Sequence, residues 1–420
     1  MSSEWTAGKL GDFIELKRGY DLPQAKRHRG TVPLVSSSGV SDQHNVAMVK
    51  GPGVVTGRYG TIGQVFYVED DFWPLNTTLY VRDFKGNDPK FVHYFLKTLD
   101  FLAYSDKAAV PGVNRNHLHE ALVSLPSLNL QTEIASFLGA LDDRITLLRE
   151  TNATLEGIAQ ALFKSWFVDF DPVHAKAAGR GPEGMDEATA GLFPESFEES
   201  ELGLVPKGWT PMAVSEVSEI VKGKSYSSKD LVDVHETALV TLKSFTRGGG
   251  FRLDGFKPYA GTYKASQVVV SGDLIIAYTD VTQAAELIGK PAIVIGVDEH
   301  KTLVASLDVG IIRPLDAKVS RQFLFGLFNT DAFQAHTLSH TSGTTVLHLS
   351  KNGVGSYKFV CPSLSVVNAF SVIAESLTSR QQANIDQMRN LATLRDTLLP
   401  RLISGQLRLS TPEPLCEAIA

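Results

Sequence analysis

Residues 131–170 read QTEIASFLGALDDRITLLRETNATLEGIAQALFKSWFVDF, and in them Ile134, Leu138, Leu141, Ile145, Leu148, Asn152, Leu155, Ala159, Leu162 and Trp166 fall at alternating steps of four and three. Apolar residues with a mean spacing of 3.5 make the seam of a coiled-coil helix. No proline interrupts the pattern before Pro172. At 1.5 Å per residue a helix over 131–168 would span roughly 57 Å, so the stretch predicts a spacer between two bodies.

A seam needs a partner. Downstream by 236 residues, Phe370, Leu377, Met388, Leu391, Leu398 and Leu402 match Ile134, Leu141, Asn152, Leu155, Leu162 and Trp166. Two such helices in one chain imply a duplication, and the segments before them repeat in the same order. Trp5 and Gly19 match Trp209 and Gly223 at an offset of 204, which sets Arg18 opposite Lys222. Gly53 matches Gly272 at 219, Phe91 and Thr98 match Phe323 and Thr330 at 232, and Gly112 with His117-Leu118 matches Gly343 with His348-Leu349 at 231. Pro126-Ser127-Leu128 matches Pro362-Ser363-Leu364 at 236. Insertions in the second copy account for the rising offset.

The resulting fold class is α+β: two mixed α/β bodies separated by two long antiparallel coiled-coil helices, an internal duplication with pseudo-twofold symmetry. The expected segments are a first body over 1–130, a long helix over 131–170, a linker over 171–205 with at most short helices, a second body over 206–364, a second long helix over 365–405 and a tail over 406–420. Asn152, Gln381 and Asn384 fall on the seam, where a polar residue can fix register.

The chain has 420 residues, 43% of them hydrophobic, which is material for two or three cores. No signal-peptide pattern and no run of 18 or more apolar residues is present, so the reading is a cytoplasmic protein that does not enter a membrane. Cys361 and Cys416, the two cysteines, lie in no C-x-x-C pair and read as passive thiols. The net charge of -6 argues against a nucleic-acid ligand until its distribution is read. Lys+Arg against Asp+Glu is 14 to 13 over 1–130 and 15 to 14 over 209–365, but 3 to 6 over 131–170 and 3 to 8 over 171–208. The deficit lies in helix and linker, so a basic face on either body has to be made by local clustering.

Catalytic and metal patterns are absent or incomplete. Gly223-Lys224-Ser225 lacks the upstream glycine of a phosphate-binding loop, His117-Leu118-His119-Glu120 lacks the i, i+4 spacing of a zinc helix, and no G-x-S-x-G elbow occurs. What remains is basic, polar and aromatic loop material in both bodies. The first offers Lys17, Arg18 and Tyr20; Lys26, Arg27 and Arg29; Ser36, Ser37 and Ser38; Arg58 and Tyr59; and Asn114 and Arg115. The second offers Lys222, Lys224 and Tyr226; Lys243, Arg247 and Arg252; Tyr278 and Thr279; and Thr345. Arg and Lys neutralise phosphates or read guanine edges, and Ser, Thr and Asn read the others, so such clusters at matching places point to double-stranded DNA. Phe163, Trp166 and Phe167 read as outward apolar residues near the end of the first long helix, and so as a partner-binding surface.

On these residues the chain resembles the specificity (S) subunits of Type I restriction–modification systems. The resemblance rests on the order body, helix, body, helix, on residues 161–170 (ALFKSWFVDF) and 394–405 (LRDTLLPRLISG) at the helix ends, on Pro206-Lys207-Gly208-Trp209 as the opening of a recognition domain, and on residues 57–63 (GRYGTIG) as a loop within one. The second body has Ala277-Tyr278-Thr279-Asp280-Val281-Thr282 in that loop's place. The resemblance implies two target recognition domains reading a bipartite asymmetric target, spacer helices that hold methyltransferase (modification) subunits, two of them, and a further association with motor-nuclease (restriction) subunits. It implies a non-enzyme with no cofactor in this chain; S-adenosylmethionine, ATP and Mg belong to the partner subunits. Two other readings stay open on the residues alone: a coiled-coil protein-binding adaptor, and an enzyme whose site is assembled from both bodies.

Overall fold

The computed structural model describes residues 5–106, 112–253, 255–282, 284–296, 299–315 and 318–409. Cys416 and most of the expected tail lie outside the described residues. The chain divides into two compact units, Met1–Arg149 with Ile385–Ala420, and Glu150–Asn384. The long helices run over Leu128–Phe167 and Leu364–Ile403. Each therefore contributes one half to each unit.

In the first unit a four-stranded antiparallel sheet has the order Glu15–Arg18, Thr78–Asp83, Gly53–Gly57, Val65–Val68. A second sheet sets Val32–Ser36 between Gly39–His44 and the parallel strand Trp73–Pro74. The helix Pro89–Lys97 starts where Asp88 accepts the amide of Phe91 at 2.7 Å, with proline in the first turn, where no amide donor is missed. It buries Phe91, Val92, Tyr94, Phe95 and Leu96 against Leu16, Val54 and Leu79. Trp5–Lys9 pairs with Leu122–Pro126, which fastens the body's start to its end beside the long helix.

The second unit has the same strand order: Ser218–Lys222, Val309–Pro314, Leu274–Ala277, Pro291–Ile293, again antiparallel throughout. Its second sheet likewise contains a parallel pair, Thr237–Val240 with Thr302–Ala305. Thr210–Ala213 pairs with Lys358–Cys361 as Trp5–Lys9 does with Leu122–Pro126. Gly19 and Gly223 are pressed onto neighbouring backbone in the same way: a Cβ would lie 2.2 Å from the Leu75 carbonyl at one and 2.0 Å from that of Ser306 at the other. Only glycine fits either place. The expected linker holds the short helices Asp171–Ala177 and Glu187–Gly191 and the hairpin Phe197–Ser200 with Gly203–Pro206.

The helix halves pair antiparallel within each unit. In the first, Ile134 and Leu138 share a core with Leu399, Leu402 and Ile403, and Arg395 donates to Asp142 at 2.5 Å. In the second, Asn152 donates to the Gln381 carbonyl at 3.2 Å, Gln381 returns a bond to the Asn152 carbonyl at 3.1 Å, and Asn384 donates to the Asn152 side chain at 2.8 Å. Three seam polar residues thus satisfy one another, with Asn384 fully buried.

One expectation is overturned. Phe163, Trp166 and Phe167 are not an outward surface: they are 2%, 4% and 8% exposed, packed among Phe193, Trp209, Phe323 and Phe370. Phe193, which the linker supplies, and Trp209, from the second body, close over the helix end. Long-range packing covered what the helical wheel left facing outward.

Candidate nucleic-acid interface

In the first unit, Arg58 and Tyr59 sit on the loop after Gly53–Gly57. The amides of both donate to the Thr77 carbonyl, at 2.9 and 3.3 Å, and the Arg58 carbonyl accepts from Val113 at 3.0 Å. The Arg58 guanidinium lies 4.7 Å from the centre of the Tyr59 ring, so a half-exposed cation is held over an aromatic face. Gly57 permits this fold-back, since a Cβ there would be 2.0 Å from the Thr61 carbonyl and 3.2 Å from that of Ser37. Ser37 belongs to the adjacent turn, in which the Ser36 hydroxyl meets that of Ser38 at 3.0 Å and donates to the Gly39 carbonyl at 3.1 Å. That turn, Arg27, Asn76 and Thr77 border a cleft of about 480 Å³, beside a recess flanked by Arg27, Arg29 and Asp42.

The rest of the first cluster is either paired within the unit or exposed on turns. Arg27 pairs with Asp42 at 3.2 Å and Arg18 with Asp21 at 3.0 Å. The Tyr20 hydroxyl meets that of Tyr80 at 3.0 Å, and the Lys17 ammonium lies 5.5 Å from the Tyr20 ring centre. Burial first, and the Tyr20 hydrogen bond second, push the Tyr80 phenol well up. Lys26 is exposed on the turn Gln24–Lys26, and Asn114 caps the helix Arg115–His119 through the Asn116 amide at 3.0 Å, leaving Arg115 exposed.

In the second unit one buried carboxylate organises two loops. Asp280, 0% exposed, accepts the amides of Thr282 at 2.6 Å, Leu287 at 2.6 Å and Ile288 at 2.9 Å. Burial opposes its ionisation, but these hydrogen bonds outweigh it and hold the carboxyl below the usual range. The loop so fixed carries Glu286, which pairs with Arg247 at 3.4 Å and whose carbonyl accepts the Gly248 amide at 3.1 Å. Arg252 is anchored through its amide to the Ser244 carbonyl at 2.8 Å. Lys243, Arg247 and Arg252 are thereby exposed on one fastened segment.

Residues 2–157 match the family described as the Type I restriction modification DNA specificity domain. The chain is 24% identical over 409 residues to the Type I restriction enzyme HindI specificity subunit of Haemophilus influenzae, covering 82% of this chain and 84% of that one. Over these lengths it is similar to Type I specificity subunits. A second relative, the Type I restriction enzyme MjaIX specificity subunit of Methanocaldococcus jannaschii, is 21% identical over 97% of this chain and 95% of its own. The crystal structure of a Type I restriction-modification system S subunit from M. genitalium shares the fold, with a TM-score of 0.54 at 16% identity, over 97% of each chain.

Within this chain the candidate residues are not equally placed. Arg27, Ser36, Ser37, Ser38, Arg58 and Tyr59 come together around Thr77, with Arg29 in the adjoining recess beside Arg27, and Lys243, Arg247 and Arg252 share one segment. Lys222 and Lys224 flank the buried Gly223, Tyr226 accepts from Lys257 at 3.3 Å, and Thr345 is exposed. Thr279 has to be withdrawn as a DNA contact: it is 6% exposed, its strand is paired with Leu347–Leu349, and its hydroxyl lies 3.4 Å from His348 Nδ1. Sequence reasoning noted Asp280 beside Tyr278 and Thr279 without giving it a role in the site, and missed Asn76 and Glu286 as site residues; these position loops rather than carry positive charge. Only Asp280, an acid closing the apolar run 274–277 and its tyrosine and threonine, left a trace in the sequence.

Proposed function

We propose that this chain is the non-catalytic DNA-reading subunit of a Type I complex, each unit addressing one half of a bipartite, asymmetric target. The observation that carries this reading is that one strand order is repeated while the loops on it are not: the Arg58 loop is fixed by Thr77 and Ser37, the Arg247 loop by Asp280 and Glu286. Unlike loops on like frames read unlike half-sites. The repeated strand order also supports an internal duplication. Exposed apolar side chains on the long helices, Phe137 and Leu394 in one unit and Ile158 and Val372 in the other, are the docking surface proposed for two methyltransferase subunits, in place of the buried aromatic cluster. S-adenosylmethionine, ATP and Mg reside on the methyltransferase and motor-nuclease partners in this reading.

Mapping methylated sites in cells that carry this chain with its partner subunits tests the proposal. A two-part asymmetric motif is the expected outcome. An unmethylated genome from an assembled complex, together with no salt-dependent DNA affinity, would return the protein to the adaptor class.

A further inference from the structure

The second unit contains a cleft of about 600 Å³ bordered by Ser215, Ile220, Lys222, Tyr278, Leu349 and Lys351. Its chemistry is uneven in a telling way. The Tyr278 ring is packed against Gly310, where a Cβ would come within 2.4 Å of it, and its hydroxyl is buried without a hydrogen-bond partner. Burial pushes this phenol up to about 12, so it remains a neutral O–H donor at any physiological pH. Buried hydroxyls are nearly always satisfied, and one that is not marks a place where an acceptor belongs. Lys222 and Lys351 border the same cleft, and neither ammonium meets a carboxylate among the described residues.

The first unit fills the matching place with its own side chain. Gly11 and Leu16 stand 204 residues before Ser215 and Ile220. His119 lies against both: its Nε2 accepts the Leu16 amide at 2.9 Å, and a Cβ on Gly11 would be 3.1 Å from that of His119. The same frame therefore encloses an imidazole in one unit and an open cleft in the other.

We propose that this cleft is a binding pocket for a phosphate ester of mononucleotide size. Two unpaired ammonium groups take the phosphate, Ile220, Leu349 and the tyrosine ring take the flat heterocycle, and the Tyr278 hydroxyl donates to an acceptor on the ligand. The ligand is either a free nucleotide or a nucleotide of an unpaired DNA strand, which share this chemistry. The inference does not depend on how the units read duplex DNA, because it concerns Lys351 and the Tyr278 hydroxyl.

Equilibrium dialysis of the full chain against labelled adenosine monophosphate tests it, with inorganic phosphate as the second probe. Saturable binding is expected, weakened at least tenfold by Lys351→Met and by Tyr278→Phe, with phosphate binding lowered only by the lysine change. Lys351 is exposed, so its variant keeps the test alive should Tyr278→Phe fail to fold. Displacement of the label by a single-stranded oligonucleotide assigns the pocket to DNA, and persistence of the label assigns it to a free nucleotide. No saturable binding by the wild-type chain, or binding by both variants as tight as that of the wild type, overturns the proposal.

Discussion

Arg58 and Arg247 are both arginines on loops, yet their supports differ. Arg58 leans on the ring of Tyr59, whereas Arg247 is steadied by Glu286, itself fixed through Asp280. Under the proposed reading, Arg58→Ala and Arg247→Ala each relax one half of the target and leave the other legible. A lost bidentate base contact costs about 1–3 kcal/mol at one position, while a lost phosphate contact lowers affinity for all sequences and flattens the salt dependence. Binding titrations against half-site mutants at two salt concentrations separate the cases, and unchanged affinity in both variants would move the reading surface elsewhere. Trp166→Ala is expected to act on folding rather than on partner docking. Truncating an indole buried among Phe193, Phe370 and Phe167 costs about 3–5 kcal/mol, visible as a lowered denaturation midpoint of the isolated chain. The basic and aromatic candidates were legible as residue types. Which of them point outward was not, because exposure at Thr279 and Trp166 depends on strands and loops remote in sequence.

The long helices were the most legible elements, since a 3.5-residue period is written locally and needs no knowledge of what lies opposite. Asn152 and Asn384 show what such an element gains from polar residues on its seam. Asn384→Leu alone leaves the oxygen of the partly buried Asn152 side chain without its 2.8 Å partner and is expected to destabilise by about 1–3 kcal/mol. Replacing both by leucine should recover much of that loss while loosening register, which denaturation of the single and double variants resolves. The helix Pro89–Lys97 carries a second testable device. His93 is 7% exposed, and burial, helped by the nearby Lys97 charge, lowers its pKa to about 3. The folded state then binds fewer protons than the unfolded one, so stability rises with pH between about 3 and the ordinary imidazole value near 6.5 and is lost on acidification. Asp142 acts in the same direction: burial disfavours its charge, but Tyr94 and Arg395 hold it below the usual carboxylate range, so its contribution disappears as pH falls below about 4. His93→Phe should flatten the dependence of urea stability on pH between about 6.5 and 4. An unchanged slope would show that the imidazole already titrates normally.

For the whole molecule, the proposed reading makes the length of the long helices a parameter of the target, since both helices contribute to both units. Inserting one heptad after Thr151 and another after Asn384 preserves the seam and adds about 10 Å at 1.5 Å per residue, close to three base pairs of duplex. Methylation mapping of that variant should return the same half-sites with a longer gap. A changed half-site, or an unchanged gap from an active complex, would mean that the helices do not set the spacing. The same division has a consequence for synthesis. The second unit is one continuous stretch, Glu150–Asn384, and has all its parts as soon as they leave the ribosome. The first unit does not: Ile134 and Leu138 are covered by Leu399, Leu402 and Ile403, which are made more than 250 residues later. At about 5–20 residues per second, the earlier-made body waits tens of seconds with an apolar groove open. The nascent chain is most exposed to aggregation and proteolysis in its oldest part, and a message broken before codon 385 yields a finished second unit attached to a first that can never close.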